Sequence, residues 1–108
     1  MGTRRAAQFY MLNETLSAED AAGCGLINKV VAAEALEAGA WALARKLAQG
    51  PTLAFGEAKS LLLSSPMESL EGQLELEARA MARVTSTEDA WNAMRAVLAK
   101  QKPAFEGR

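Results

Sequence analysis

The sequence predicts an all-α fold: five to six short helices with one extended segment. Three observations carry this. Alanine is abundant while aromatic residues make up only 6% of the chain, a composition that favours closely packed helices. Apolar residues recur at helical spacing through most of its length. Helix start signals of the Ser/Thr-x-x-acid and Ser-Pro types stand between those periodic stretches. The one run of β character is Leu26-Ile27-Asn28-Lys29-Val30-Val31.

Residues 4–12 (RRAAQFYML) read as the first helix, with Thr3 as its N-cap. Only Met1-Gly2-Thr3 precede it, so the expectation is of a segment cut from something longer. Ser17 caps a short second helix, with Asp20 in capping-box position. Gly23 or Gly25 supplies its left-handed end. The run 26–31 comes next. A lone β-segment cannot satisfy its own backbone groups, so it is expected to be extended and to pair with little or nothing inside the chain.

A helix over 33–49 carries Leu36, Ala40, Leu43, Ala44 and Leu47 on one face, and Gly50 ends it. Pro51 suits the first position of the following helix, where its missing N–H costs nothing. Ala54, Ala58, Leu61 and Leu62 form that helix's stripe. Ser65-Pro66-Met67-Glu68 signals another start, and the helix from 66 to about 84 carries Leu70, Leu74, Ala78 and Met81. Thr85-Ser86-Thr87-Glu88-Asp89 opens the last helix with a second capping box, and Ala90, Met94, Val97 and Leu98 make its stripe. Lys100-Gln101-Lys102-Pro103 closes it, with cations where the helix dipole favours them. The whole, 1–108, reads as a single helical domain.

Composition removes several function classes. Twelve basic against 13 acidic residues leave a formal charge of −1, without the basic excess of a nucleic-acid binder. No apolar run approaches the ~20 residues of a membrane-spanning helix, and no signal-peptide pattern is visible. A lone Cys24 excludes an internal disulfide and fits a reducing, cytoplasmic setting. Without histidine there is no Ser-His or Cys-His catalysis, and a metal site built from nitrogen and sulfur ligands is not expected.

A set of short motifs runs through the chain in a fixed order. Leu16-Ser17-Ala18-Glu19-Asp20-Ala21 and Gly25-Leu26-Ile27-Asn28-Lys29-Val30-Val31 come first. Ala58-Lys59, Ser69-Leu70 with Leu76-Glu77, and Ser86-Thr87-Glu88-Asp89 follow. Lys100-x-Lys102-Pro103-x-Phe105-x-Gly107 closes the series. In this order and spacing the chain resembles the C-terminal part of the enoyl-CoA hydratase/isomerase (crotonase) family, over less than half of a family member. The resemblance implies an absent N-terminal core whose backbone N–H groups form an oxyanion hole and whose acidic residues act as general acid and base. It implies an acyl-CoA thioester as substrate, no separate cofactor and a trimer-type homo-oligomer. The run 26–31 then becomes the joint between that core and the C-terminal helices.

The resemblance also nominates residues. Lys100, and less directly Lys102, match positions that approach the CoA phosphates, where lysine serves as a point charge. A solvated lysine at a helix end is the commoner role of such a residue. Val97 stands where the family often has a phenylalanine near the adenine, and valine offers no stacking face. Met81 falls near a position that lines the acyl pocket, though methionine is commonly a core filler. Asn92-Ala93 replaces the family's usual Glu-Gly. Glu68, Glu71, Glu75 and Glu77 are read as a solvated face rather than a catalytic pair. No catalytic residue is assigned. The function expected is a non-catalytic C-terminal domain supplying oligomer contacts and part of an acyl-CoA site. The alternative is a stand-alone helical module for self-association or protein interaction.

Overall fold

Side-chain caps fix where three helices begin. In the computed structural model, which describes residues 1–108, the Ser17 hydroxyl accepts the Asp20 N–H at 3.0 Å. The Ser69 hydroxyl accepts the Gly72 N–H at 3.0 Å, and the Thr87 hydroxyl accepts the Ala90 N–H at 3.1 Å. Each bond satisfies an N–H that has no partner within its own helix. The helices are α1 (Thr3–Leu12), α2 (Ala18–Gly23), α3 (Leu36–Ala48), α4 (Thr52–Ser64), α5 (Leu70–Thr85) and α6 (Glu88–Leu98). Single 3₁₀ turns at Ala33–Ala35 and Ser65–Met67 lead into α3 and follow α4. No residue lies in a strand.

The chain divides into two compact units, 1–40 and 41–108. In the first, α1 ends on Asn13 in the left-handed conformation, φ 51°, which asparagine tolerates. Gly25, at φ 73°, ends α2 in the same conformation. Its N–H reaches the Ala22 carbonyl at 3.0 Å and that of Leu26 reaches Ala21 at 2.9 Å, the paired bonds of a Schellman end. This corrects part of the expectation for 26–31. Leu26 to Asn28 bend instead of extending, because the helix end captures the first N–H groups, and no partner strand is present.

In the second unit α4 packs on α5, and α5 on α6. Ala54, Glu57, Leu61 and Ser64 of α4 turn inward, as do Gly72, Gln73, Leu76, Ala80 and Val84 of α5. Asp89, Ala90, Ala93 and Ala96 do so from α6. These side chains are mostly small, so the helices approach closely. Leu61, Leu76 and Val84 aside, the larger apolar residues of these helices face away: Leu70, Leu74 and Met81 of α5, and Met94, Val97 and Leu98 of α6, are exposed. Leu36, Leu43 and Leu47 of α3 and Leu62 of α4 are exposed as well. The stripes read for α3 and α5 are therefore not the faces these helices turn to a neighbour, whereas Ala54 and Leu61 of the α4 stripe and Ala90 of the α6 stripe do turn inward. Only Ala21, Ala80 and Asp89 in the chain are buried.

A guanidinium–carboxylate fork also ties α5 to α4. Arg83 donates from Nε to Glu57 Oε1 at 2.7 Å and from Nη2 to Oε2 at 2.6 Å. The Arg83 hydrogen bonds hold the Glu57 carboxyl below the usual carboxylate range, against the opposing effect of burial.

Several boundaries differ from the sequence reading. Gly2, not Thr3, occupies the first cap and contributes no side-chain bond. Pro51 is itself the cap residue of α4 rather than its first helical residue. Ser65-Pro66-Met67 forms a 3₁₀ turn, and α5 starts four residues later than expected, behind Ser69. Neither capping box is complete. Asp20 takes a bond from the Ser17 hydroxyl at 2.7 Å, and the third helical residue after Thr87 is Ala90, which has no carboxylate.

The caps give a direct check. Ser69→Ala and Thr87→Ala are each expected to cost about 1 kcal/mol in urea unfolding followed by helical circular dichroism. Ser65→Ala is expected to change stability little, although its sequence context looks the stronger start signal.

Candidate functional site

The features that stand out chemically lie on α6 and the residues after it. The end of α6 repeats the geometry of the end of α2. The Lys100 N–H reaches the Val97 carbonyl at 3.0 Å and the Gln101 N–H reaches Ala96 at 2.8 Å. Lys100 occupies the left-handed position at φ 55°, which Gly25 fills on α2. A side chain in that conformation costs about 1–2 kcal/mol relative to the right-handed one, and glycine avoids the cost. The backbone there would favour glycine, yet the residue is lysine and its side chain is exposed.

Beyond Lys100 the chain turns back along α6. Proline at 103 disfavours a helical conformation for Lys102 and pushes it towards an extended one. Pro103 and Phe105 are half-buried while Lys102, Ala104 and Glu106 are exposed, an alternation of period two. Phe105 borders an apolar cavity of about 190 Å³ with Leu53, Ala54, Val84, Ala90 and Ala93.

Asp89, in the first turn of α6, receives the returning segment. Its Oδ1 accepts the Glu106 N–H and its Oδ2 accepts the Gly107 N–H, both at 2.8 Å. Its own N–H donates to the Arg108 carbonyl at 2.8 Å. The carboxylate is 4% exposed. The Glu106 N–H does most to hold it below the usual aspartate range, burial opposes this, and the Gly107 and Arg108 backbone and the Arg108 charge add to the lowering. Arg108 also pairs with Glu88 at 3.3 Å and with Glu106 at 2.6 Å. Gly107 is at φ 79°, where a side chain is strained, and a Cβ built there lies a tight 3.3 Å from the Thr52 hydroxyl, so glycine is favoured.

Lys102 faces an open groove of about 580 Å³ with Arg45 and Lys46, over a floor that includes Leu47, Phe55, Pro103 and Phe105. No carboxylate lines it. Gly50 sits hard against the Phe55 ring, where a Cβ would come within 2.6 Å of it. Lys100 does not line this groove.

The other nominated residues are not drawn into this region. Met81 is 64% exposed on the outward face of α5 and lines none of these cavities; it is not the core filler its helical stripe suggested. Val97 is likewise 64% exposed on α6. Asn92 is exposed, and Ala93, where the family usually has glycine, faces the Phe105 cavity. Glu68, Glu71, Glu75 and Glu77 are exposed on or beside α5. Glu75 pairs with Arg79 at 2.7 Å and Glu77 accepts from Gln73 at 3.0 Å. Cys24 is free and half-buried. No three of the Cys, Asp and Glu side chains converge in a way that could hold a metal ion.

Asp89 is the residue sequence reasoning missed. It sits within the helix start signal Thr85-Ser86-Thr87-Glu88-Asp89, which gives it a local explanation. The available clue was Thr87, a sufficient cap by itself, which leaves the next acid but one without a local task.

Comparison with known proteins places these features in a family context. The model of the enoyl-CoA hydratase/isomerase family matches residues 1–108. The chain is 36% identical over 107 residues to 1,2-epoxyphenylacetyl-CoA isomerase of Escherichia coli (strain K12), covering 99% of this chain and 41% of that protein. It superimposes on a Mycobacterium abscessus protein assigned as an enoyl-CoA hydratase/isomerase with TM-score 0.94 and 39% identity, over 99% of this chain and 41% of the other. A crystal structure of enoyl-CoA hydratase subunit I from Geobacillus kaustophilus HTA426 gives TM-score 0.92 at 30% identity, over 99% and 42%. The chain thus spans about two fifths of the length of these relatives.

Two measurements follow from the geometry of α6. Lys100→Gly is expected to raise stability by about 1 kcal/mol in denaturant unfolding, because the backbone conformation suits glycine. For Asp89, a carboxyl that binds its proton more weakly when folded stabilises the fold above its unfolded pKa, and the contribution is lost as pH falls through the lower folded value. Amide exchange at Glu106 and Gly107 is therefore expected to keep its protection through neutral and mildly acidic pH, and to lose it only once the pH falls below the ordinary aspartate range.

Proposed function

The chain belongs to the enoyl-CoA hydratase/isomerase family, and from that premise we propose that it is the helical C-terminal part of an acyl-CoA hydratase or isomerase. In that setting residues 1–108 form one domain that supplies oligomer contacts in a trimer-type assembly and covers part of the acyl-CoA site. The substrate is an acyl-CoA thioester, with no separate cofactor. Lys100 and, secondarily, Lys102 serve the CoA phosphates, and Met81 faces the acyl group in the complete assembly. The chain by itself is not catalytic.

The observation that carries this reading is the orientation of the apolar faces. The helices meet through small residues, while Leu70, Leu74, Met81, Met94, Val97 and Leu98 point outward. A patch of that kind marks a surface meant to be covered. Lys100 adds to it, being a lysine held where the backbone would favour glycine.

The proposal is tested with two assays on the isolated chain. Crotonyl-CoA is expected to show no turnover above background; clear hydration or isomerisation would overturn the non-catalytic assignment. Coenzyme A is expected to bind weakly, with affinity falling as salt rises, and Lys100→Ala is expected to weaken it at least threefold. Equal binding by wild type and Lys100→Ala would remove Lys100 from the site. Light scattering after size-exclusion chromatography addresses the covered faces, since a well-ordered monomer at high concentration would count against an oligomer role.

A further inference from the structure

Asp89 and Lys100 lie at opposite ends of the same helix, yet one segment of chain touches both. From Asp89 to Ala99 the helix advances roughly 15 Å at about 1.5 Å per residue. The return path from Lys100 to Glu106 reaches at most about 20 Å when fully extended. The returning segment therefore has little slack. Its near end is fixed by the Gln101 N–H on the Ala96 carbonyl at 2.8 Å. Its middle is seated by Pro103 and Phe105, both half-buried. Its far end is held by the two 2.8 Å bonds that Asp89 accepts from Glu106 and Gly107.

We propose that Asp89 is a positioning residue for Lys100 and Lys102, acting as the far anchor of a nearly taut strap on which both cations ride. This rests on the phosphate role proposed above for those lysines, but the mechanical claim stands on geometry alone. Asp89 touches no ligand. It accepts two consecutive backbone N–H groups in a site only 4% exposed. Side-chain substitutions elsewhere in the strap cannot replace those bonds, since both donors are main chain. Releasing the far end leaves the residues behind it held only by the seating of Pro103 and Phe105, because Pro103 can donate no hydrogen bond of its own and Lys102 and Ala104 are exposed. A loosened strap lets Lys102 drift from Lys100 and dilutes a charge pair whose value to a polyphosphate depends on fixed spacing.

Asp89→Asn and Gly107→Ala test this from the two sides of the same contact. Asparagine keeps the shape but turns an N–H₂ group toward one of the donors. Alanine strains the strap at φ 79° and leaves the whole of α6 untouched. The readouts are amide exchange at Glu106 and Gly107, trypsin cleavage after Lys100 (the Lys102–Pro103 bond resists trypsin), and calorimetric titration with coenzyme A at low salt. Helical circular dichroism checks that the helices persist. Both variants are expected to speed exchange at least tenfold and to increase cleavage after Lys100. Coenzyme A affinity is expected to fall at least threefold in each, as in Lys100→Ala. If exchange and cleavage match the wild type in both variants, Asp89 is not the anchor. If they rise while coenzyme A binding holds, the strap exists but does not position the lysines, and the proposal fails. A wild-type chain that binds no coenzyme A would count against the function proposed for Lys100, and the anchor would then be judged by exchange and cleavage. Should Asp89→Asn lose its helices, Gly107→Ala decides.

Discussion

The packing of α4 on α5 and of α5 on α6 is the constraint on which the rest of the second unit depends. It is set by small side chains. Ala80, Ala90, Ala93 and Ala96 leave the helices room to meet, and Gly72 does the same near the start of α5. Small residues contribute little transfer free energy each, about 0.8 kcal/mol per buried CH₂ group at most. Specificity along the seam therefore rests heavily on directed contacts. The Arg83–Glu57 fork aligns α5 with α4, and the Thr87 hydroxyl, which accepts the Ala90 N–H and donates to the Val84 carbonyl at 2.7 Å, fixes the turn between α5 and α6. Asp89 then ties the segment after α6 back to where α6 began.

With small residues along much of the seam, and only Leu61, Leu76 and Val84 as larger apolar groups turned into it, most of the large ones are left outside. Leu and Met at helical spacing on α5 and α6 are normally what a helix buries. Here they form a second surface, and the relatives of this chain are more than twice its length.

Much of this was legible in the sequence, with a consistent pattern to what was not. All six helices and most of their ends followed from periodicity and turn residues. Gly23 or Gly25 was expected to terminate α2, and Gly25 does. The motif order led to the family that the comparisons then showed. Orientation was harder. A stripe such as Leu70, Leu74, Ala78, Met81 says that one face of a helix is apolar, and it cannot say whether the partner lies in the same chain. Starts were misplaced wherever two signals competed. Ser65-Pro66 and Ser69 both qualify, and proline's fixed φ allowed a 3₁₀ turn before the helix proper. Asp89 was hidden for a related reason: an acid in the first turn already has a local explanation in the helix dipole, so nothing local pointed to residues 106 and 107.

The scarcity of buried apolar side chains has a thermodynamic corollary. Heat-capacity change on unfolding comes mainly from newly hydrated apolar surface, and a chain whose leucines and methionines are already wet has little left to hydrate. Its stability curve should accordingly be shallow, with weak dependence on temperature and no pronounced optimum. Covering the outer faces of α5 and α6 would add apolar surface to be hydrated on unfolding and so would deepen the curvature.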